Sequence, residues 1–216
     1  MHLDIFSDPI CPWCLIGKRR LERALAERPE PELTIRWRAF QLNPDMPRAG
    51  MDRTDYVVRK FGSMDNANRV YDAVKAAAAE EGIPLALDRI QRTPNTLPAH
   101  QLIHLAGERG VQDTVVEDLF QAYFMRGEDV GEQDVLLAAA RRAGMDEDVV
   151  RDALDRENAL EIVQAEDQEA RSAGIQGIPT FILNGEYALS GAQEPKVLHN
   201  LFDVGRTGST EGVAAS

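Results

Sequence analysis

Leu3 to Phe6 is a short apolar-rich run bounded by Ser7-Asp8-Pro9, and it predicts a buried strand. Leu15, Ile16, Leu21, Ala24 and Leu25 then recur at helical spacing, with Lys18, Arg19, Arg20, Glu22 and Arg23 between them. That pattern predicts an amphipathic helix ending near Arg28-Pro29. Leu33 to Phe40 alternates with period two, as a strand does. The first forty residues therefore read β-α-β, which is most naturally a parallel, right-handed unit.

Asn43-Pro44-Asp45-Met46-Pro47 breaks the pattern, and the character of the chain changes. Helices are predicted over 54–61, 65–81, 96–109, 112–125, 132–143, 146–155 and 160–173, most of them stopped by a glycine. Almost no strand signal interrupts them. Strand character returns at Pro179 to Leu183 and again at Tyr187 to Ser190, with Asn184-Gly185 between. Asn-Gly between two apolar runs is a strong hairpin signal, because both turn residues need positive φ. Pro195 to Phe202 predicts a closing helix. A lone hairpin is barely stable, so the two distant strand segments must share one sheet. The expected fold is α/β, with an N-terminal part at 1–48, a helical insertion at 49–158 and a C-terminal part at 159–204. Gly205 to Ser216 is small, polar and Gly-rich, and is expected to be disordered.

The formal net charge of -12 argues against nucleic-acid and anionic-membrane partners. No run is apolar enough for a membrane span, and Asp4 and Asp8 interrupt the N-terminal apolar residues. A cytoplasmic location is expected. The two cysteines, Cys11 and Cys14, lie too close together to close a useful loop, so their value is reactivity.

Cys11 falls where the first strand ends and the helix begins. Unpaired N–H groups and the helix dipole there favour a thiolate. Pro12 suits the first turn, and Cys14 lies on the same face one turn on. Cys11 would attack a disulfide, and Cys14 would resolve the mixed disulfide. A CxxC can also bind zinc, but no second CxxC is present. His100 and His104 have i, i+4 spacing but lack a metalloprotease pattern, so no metal is expected. Gly177-Ile178-Pro179-Thr180 precedes a strand, either as a simple bend or as a loop that faces the cysteine and pairs with substrate.

Ser7-Asp8-Pro9-Ile10-Cys11-Pro12-Trp13-Cys14 and Gly174 to Phe181 resemble the DsbA-like branch of the thioredoxin superfamily, in particular the FrnE-like subgroup labelled polyketide-biosynthesis dithiol-disulfide isomerases. The resemblance implies a thioredoxin fold with a helical insertion. It also implies a nucleophile at Cys11, a resolving thiol at Cys14 and a cis-Pro at Pro179. We assign substrate contacts to Pro12, Trp13, Ile178 and Pro179. Strongly oxidising members carry His where this chain has Trp13, and Trp13 brings no charge, so a milder oxidant is expected. Strand 33–40 offers no carboxylate beneath the dithiol; Asp4 and Asp8 are nearby, with exposed or capping roles favoured.

Lys18 and Arg19 could tune the dithiol, although a solvated helix face is the simpler expectation. Trp37 is expected in the core. Asn95 could face a thiol substrate, as a loose likeness to kappa-class transferases and hydroxychromene-carboxylate isomerases suggests, or could cap the helix that follows. The expected activity is disulfide exchange with protein or small-molecule thiols, with no cofactor beyond the redox-active disulfide and with glutathione as a candidate co-substrate. The competing readings are a glutathione-dependent isomerase or transferase, disfavoured by the intact cysteine pair, and a non-catalytic peptide-binding module.

Overall fold

The computed structural model describes residues 1–208. Its elements in chain order begin with β1 (His2–Ser7), α1 (Pro12–Glu27) and β2 (Thr34–Ala39). The insertion follows as β3 (Met51–Asp52), α2 (Arg53–Phe61), α3 (Met64–Glu80), β4 (Arg92–Thr93), α4 (Leu97–Glu108), α5 (Gln112–Gln121), α6 (Gln133–Arg142) and α7 (Glu147–Asp155). The chain closes with α8 (Leu160–Ser172), β5 (Thr180–Leu183), β6 (Tyr187–Ser190) and α9 (Pro195–Thr207). The insertion is helical apart from the two-residue β3–β4 ribbon, which the sequence pattern did not predict. Residues 122–126 continue α5 as a π-helical turn.

The strand order is β2-β1-β5-β6. β1 and β2 are parallel, while β5 pairs antiparallel to both β1 and β6. The two distant segments do share one sheet. Alternation sorts its side chains onto two faces. Leu3, Ile5, Trp37, Phe181 and Leu183 join the main core with Leu15 and Ile16 of α1 and Leu198 and Phe202 of α9. Phe6, Phe40 and Ile182 pack on the other face, around Ala170 of α8. The main core runs on into the insertion through Leu102, Leu119 and Phe120. Asn184 and Gly185 have φ of 55° and 72°, the mirror-image turn that the hairpin pattern requires.

The expected tail is corrected in part. Residues 205–207 belong to α9, and Gly205 is helical because it packs there: a Cβ at that position would lie 2.2 Å from Leu183 Cδ2. The remainder of that expectation, 209–216, lies outside the described residues. Among the described residues, no helix is long and apolar enough to cross a membrane.

Candidate active site

Cys11 is the N-cap residue of α1, with extended backbone at φ −92° and ψ 113°, and Pro12 opens the first turn. The Cys11 N–H donates to the Asp8 carbonyl at 2.9 Å, which closes a tight turn off the end of β1. The Cys14 N–H donates back to the Cys11 carbonyl at 3.0 Å. Both cysteines are free thiols, 3% and 0% exposed respectively. Pro12 and Trp13 are half-buried, and Trp13 packs against the core.

Across from α1, the Ile178–Pro179 peptide bond is cis. The Cys11 thiol points at the Ile178 carbonyl, Sγ to O 3.8 Å. Gly17, one turn beyond Cys14, is what lets this loop approach. A Cβ on Gly17 would stand 2.8 Å from Pro179 Cγ and 3.4 Å from the Phe181 ring. Sequence reasoning missed this residue, although a glycine inside an amphipathic helix is a signal that needs a packing reason.

The two sulfurs differ in what surrounds them. Burial pushes the Cys14 thiol well above the ordinary thiol range, helped by its hydrogen bond to Cys11 and by the charge there. The Asp8 N–H and the Ser7 hydroxyl oppose that shift.

Asp8 is neither exposed nor a simple cap. It is fully buried, and its carboxylate accepts the Ile10 N–H (3.1 Å), the Leu42 N–H (2.6 Å) and the Thr96 hydroxyl (3.1 Å). One side chain thus ties the cysteine turn to the exit of β2 and to the start of α4. Burial raises its carboxyl pKa, against the opposing effect of nearby His100. Asp4 is half-buried and meets His2 at 3.1 Å.

Lys18 and Arg19 do not form a solvated face. Lys18 is buried at 3% exposure and pairs with Asp113 and Glu117 at 3.2 Å, while Arg19 also pairs with Glu117. These ion pairs bolt α1 to α5 because both helices turn charged residues toward one another. Trp37 is in the core, 4% exposed, and its indole N–H donates to Asp113. Asn95 is buried with both amide atoms engaged: Oδ1 accepts the Leu97 N–H at 2.9 Å, and Nδ2 donates to the Met46 carbonyl at 2.7 Å. His100 is buried and His104 half-buried.

That Met46 carbonyl belongs to the wall of a cavity of about 330 Å³, between the 42–47 loop and α2. Asn43, Met51, Tyr56, Arg59 and Lys60 line it further. The Tyr56 hydroxyl donates to Asn43 Oδ1 at 3.1 Å and accepts from Lys60 at 2.7 Å.

The model of the DSBA-like thioredoxin domain matches residues 2–203. The chain belongs to the DsbA-like thioredoxin family. That assignment accounts for the fold and its helical insertion, and it places the protein among disulfide oxidoreductases. A probable DsbA oxidoreductase from Streptomyces coelicolor is 31% identical, with a TM-score of 0.88 over 97% of this chain and 92% of that one. Two more distant structures share the fold. A 2-hydroxychromene-2-carboxylate isomerase is 17% identical, with TM-score 0.70 over the whole of both chains. The cytosolic disulfide reductase DsbM of Pseudomonas aeruginosa, solved with glutathione, is 19% identical, with TM-score 0.66 over 94% of this chain and all of that one.

Proposed function

We propose that this DsbA-like protein exchanges disulfides with protein or small-molecule thiols, with Cys11 as the attacking nucleophile and Cys14 as the resolving thiol. The observation that carries this reading is the paired free thiols at the start of α1, with Cys11 facing the Ile178 carbonyl and Cys14 fully buried beside it. Cys14 stays protonated while Cys11 reacts, so the two sulfurs divide the work. Pro12, Trp13, Ile178 and Pro179 form the rim that meets the substrate. Asn95 acts one step back, by holding the Met46 carbonyl at the wall of the neighbouring cavity.

Trp13 supplies no charge to Cys11, so the couple is a milder oxidant than DsbA, with a potential well below about −120 mV. In a cytoplasm poised at about −220 to −320 mV, such a couple stays reduced and works as a reductase or isomerase. Glutathione is then a natural co-substrate, and no further cofactor is required.

Insulin reduction by the purified chain is the direct test. Cys11→Ser should lose at least about a thousandfold in rate, because the nucleophile is gone. Cys14→Ser should retain the first attack and accumulate a mixed disulfide. A wild-type chain that exchanges no disulfide, or a Cys11→Ser variant as active as wild type, refutes the proposal.

A further inference from the structure

The two oxygens of the Asp8 carboxylate serve two places at once. One takes the Ile10 N–H of the cysteine turn, and the other takes the Leu42 N–H, where the wall of the 330 Å³ cavity begins. The cavity is therefore one buried carboxylate away from the dithiol. Its walls are fixed by contacts of their own. Asp167 holds the Gln41 N–H, Asn95 holds the Met46 carbonyl, and Met46 and Tyr56 pack with Val57 and Ala67 in a small separate core. A preformed hollow of this volume is the size of a small-molecule site.

Its lining is divided in character. Leu42, Met46 and Met51 supply an apolar, adaptable surface. Arg59 and Lys60, both exposed, supply positive charge. Acidic residues outnumber basic ones in this chain by 36 to 24, yet neither cation has a carboxylate at ion-pair distance among the described residues. Asp45 also lines the cavity and pairs with neither of them. The balance there is two cations against one carboxylate.

Lys60 is held in place by its neighbours. Its ammonium donates to the Tyr56 hydroxyl at 2.7 Å, and that hydroxyl donates to Asn43 Oδ1 at 3.1 Å. An ammonium has three N–H groups, so two remain for a ligand. Asn43 lines the same cavity, and its Nδ2 is buried without a hydrogen-bond partner among the described residues. A buried donor left unpaired is costly, and an incoming acceptor relieves that cost.

We propose that this cavity binds the non-reacting end of the substrate: a small organic acid whose carboxylate meets Lys60 and Arg59 and whose apolar body lies on Leu42, Met46 and Met51. The inference rests on the disulfide exchange proposed above and names a substrate class for it, the thiols and disulfides of apolar carboxylic acids. No bond is made or broken in the cavity. It retains such substrates beside the cysteine turn, where exchange proceeds as already described.

The test uses phenylbutyrate, an apolar acid with no thiol, titrated into the full chain by calorimetry. It should bind with a Kd below about 1 mM. Phenylbutyramide, the same body without the charge, should bind at least about tenfold more weakly, as expected for losing hydrogen bonds between charged groups. Lys60→Met should weaken binding of the acid by about tenfold, and Lys60→Arg should restore it. Phenylbutyrate should also raise the KM for dithiobis(nitrobenzoate), itself the disulfide of an aromatic acid, without changing kcat. S-methylglutathione, whose carboxylates sit on a polar tripeptide, should not displace phenylbutyrate at equal concentration. No binding of the acid, equal binding of acid and amide, unchanged affinity in Lys60→Met, or displacement by S-methylglutathione overturns the proposal, as does acid binding that leaves exchange uninhibited. The calorimetry needs no exchange activity. A chain that exchanges disulfides but ignores the acid refutes this inference alone, whereas a chain that exchanges none refutes the function proposed above.

Discussion

Two stretches of backbone flank the dithiol, and the protein treats them in opposite ways. The outer rim of β2 is a sheet edge, the kind of surface that invites another strand to pair. From Trp37 onward it is sealed by side chains, while Thr34 to Arg36 stay exposed. The Trp37 N–H donates to Gln112 of α5 at 2.8 Å, the Ala39 N–H to Glu166 at 3.1 Å, and the Gln41 N–H to Asp167 of α8 at 2.7 Å. An imidazole N–H of His100 in α4 takes the Phe40 carbonyl. The stretch at residues 177–179 is open at Ile178, while the Gly177 carbonyl accepts the Thr180 hydroxyl and the Pro179 carbonyl accepts the Gly191 N–H, both at 2.7 Å. Gly177 is exposed with nothing within 4 Å of its Cβ direction, and Ile178 is half-buried with its carbonyl beside Cys11. The difference teaches that the helices do more than enclose a cleft. They close the edge at β2 and leave the Ile178 backbone beside Cys11, which is where the function proposed above needs an extended substrate. It also gives part of the acidic excess a structural use.

The largest break of this comparison is Glu166→Ala. Glu166 caps the Ala39 N–H and pairs with Arg36 at 3.0 Å and Arg38 at 2.8 Å. Removing it leaves the buried Ala39 N–H without its acceptor and Arg38 with Glu169 at 3.3 Å and Asp4 at 3.8 Å, while the half-exposed Arg36 turns to water. The expected loss is about 3 kcal/mol, or a melting temperature lower by roughly 6–12 °C for a chain of this size. Urea unfolding measures it. Glu166→Gln, which keeps an acceptor, should recover about half of the loss. A loss under about 1 kcal/mol for the alanine variant would mean that the seal is ornamental.

How much of this was legible in the sequence depends on which force placed each residue. The β-α-β start, the Asn184-Gly185 hairpin and the helix order follow from hydrophobic period and turn chemistry, which are local. Cys11, Cys14 and Pro179 were legible because their types and order carry chemistry. The seal was not. Glu166 and Asp167 are adjacent charged residues in a polar helix, and only tertiary packing shows that both are buried against β2. Lys18 was misjudged for the same reason: its partners lie about a hundred residues away in α5. The β3–β4 ribbon is two residues per strand, too short for any period to register.

The open rim can be tested from the helix behind it. Gly17→Ala places a methyl 2.8 Å from Pro179 Cγ, closer than real contacts allow, so α1 and the 177–179 loop must part. Overpacking of this kind costs about 2 kcal/mol. The shift also carries the Ile178 carbonyl away from Cys11, so disulfide exchange should fall beyond what lost stability explains. Assays well below the melting temperature separate the two effects. If stability and exchange rate both stay at wild-type values, the loop is not held against α1 as described.

The smallest effect concerns the pH response of the sealed rim. His100 is fully buried, and burial lowers its pKa against the pull of Asp8, Asp167, Glu166 and the Phe40 carbonyl. Its Nε2 is buried without a hydrogen-bond partner, so a proton added there meets no acceptor. The folded protein binds that proton less readily than the unfolded chain does. The stability His100 contributes is therefore complete above about pH 6.5, its ordinary value, and is lost as pH falls below that. Asp8 acts with the opposite sign in a lower window. Burial raises its pKa, so its contribution is complete below its ordinary value of 3.8 and declines as pH rises from there. The two windows start about three pH units apart, which lets them be read separately. In His100→Gln, the amide can still donate to the Phe40 carbonyl but takes up no proton. The difference in unfolding free energy between wild type and His100→Gln should then shift against wild type as pH drops from 7 toward 5, by less than either substitution above costs. A difference that stays flat across that range would show that the imidazole is not held neutral by its burial.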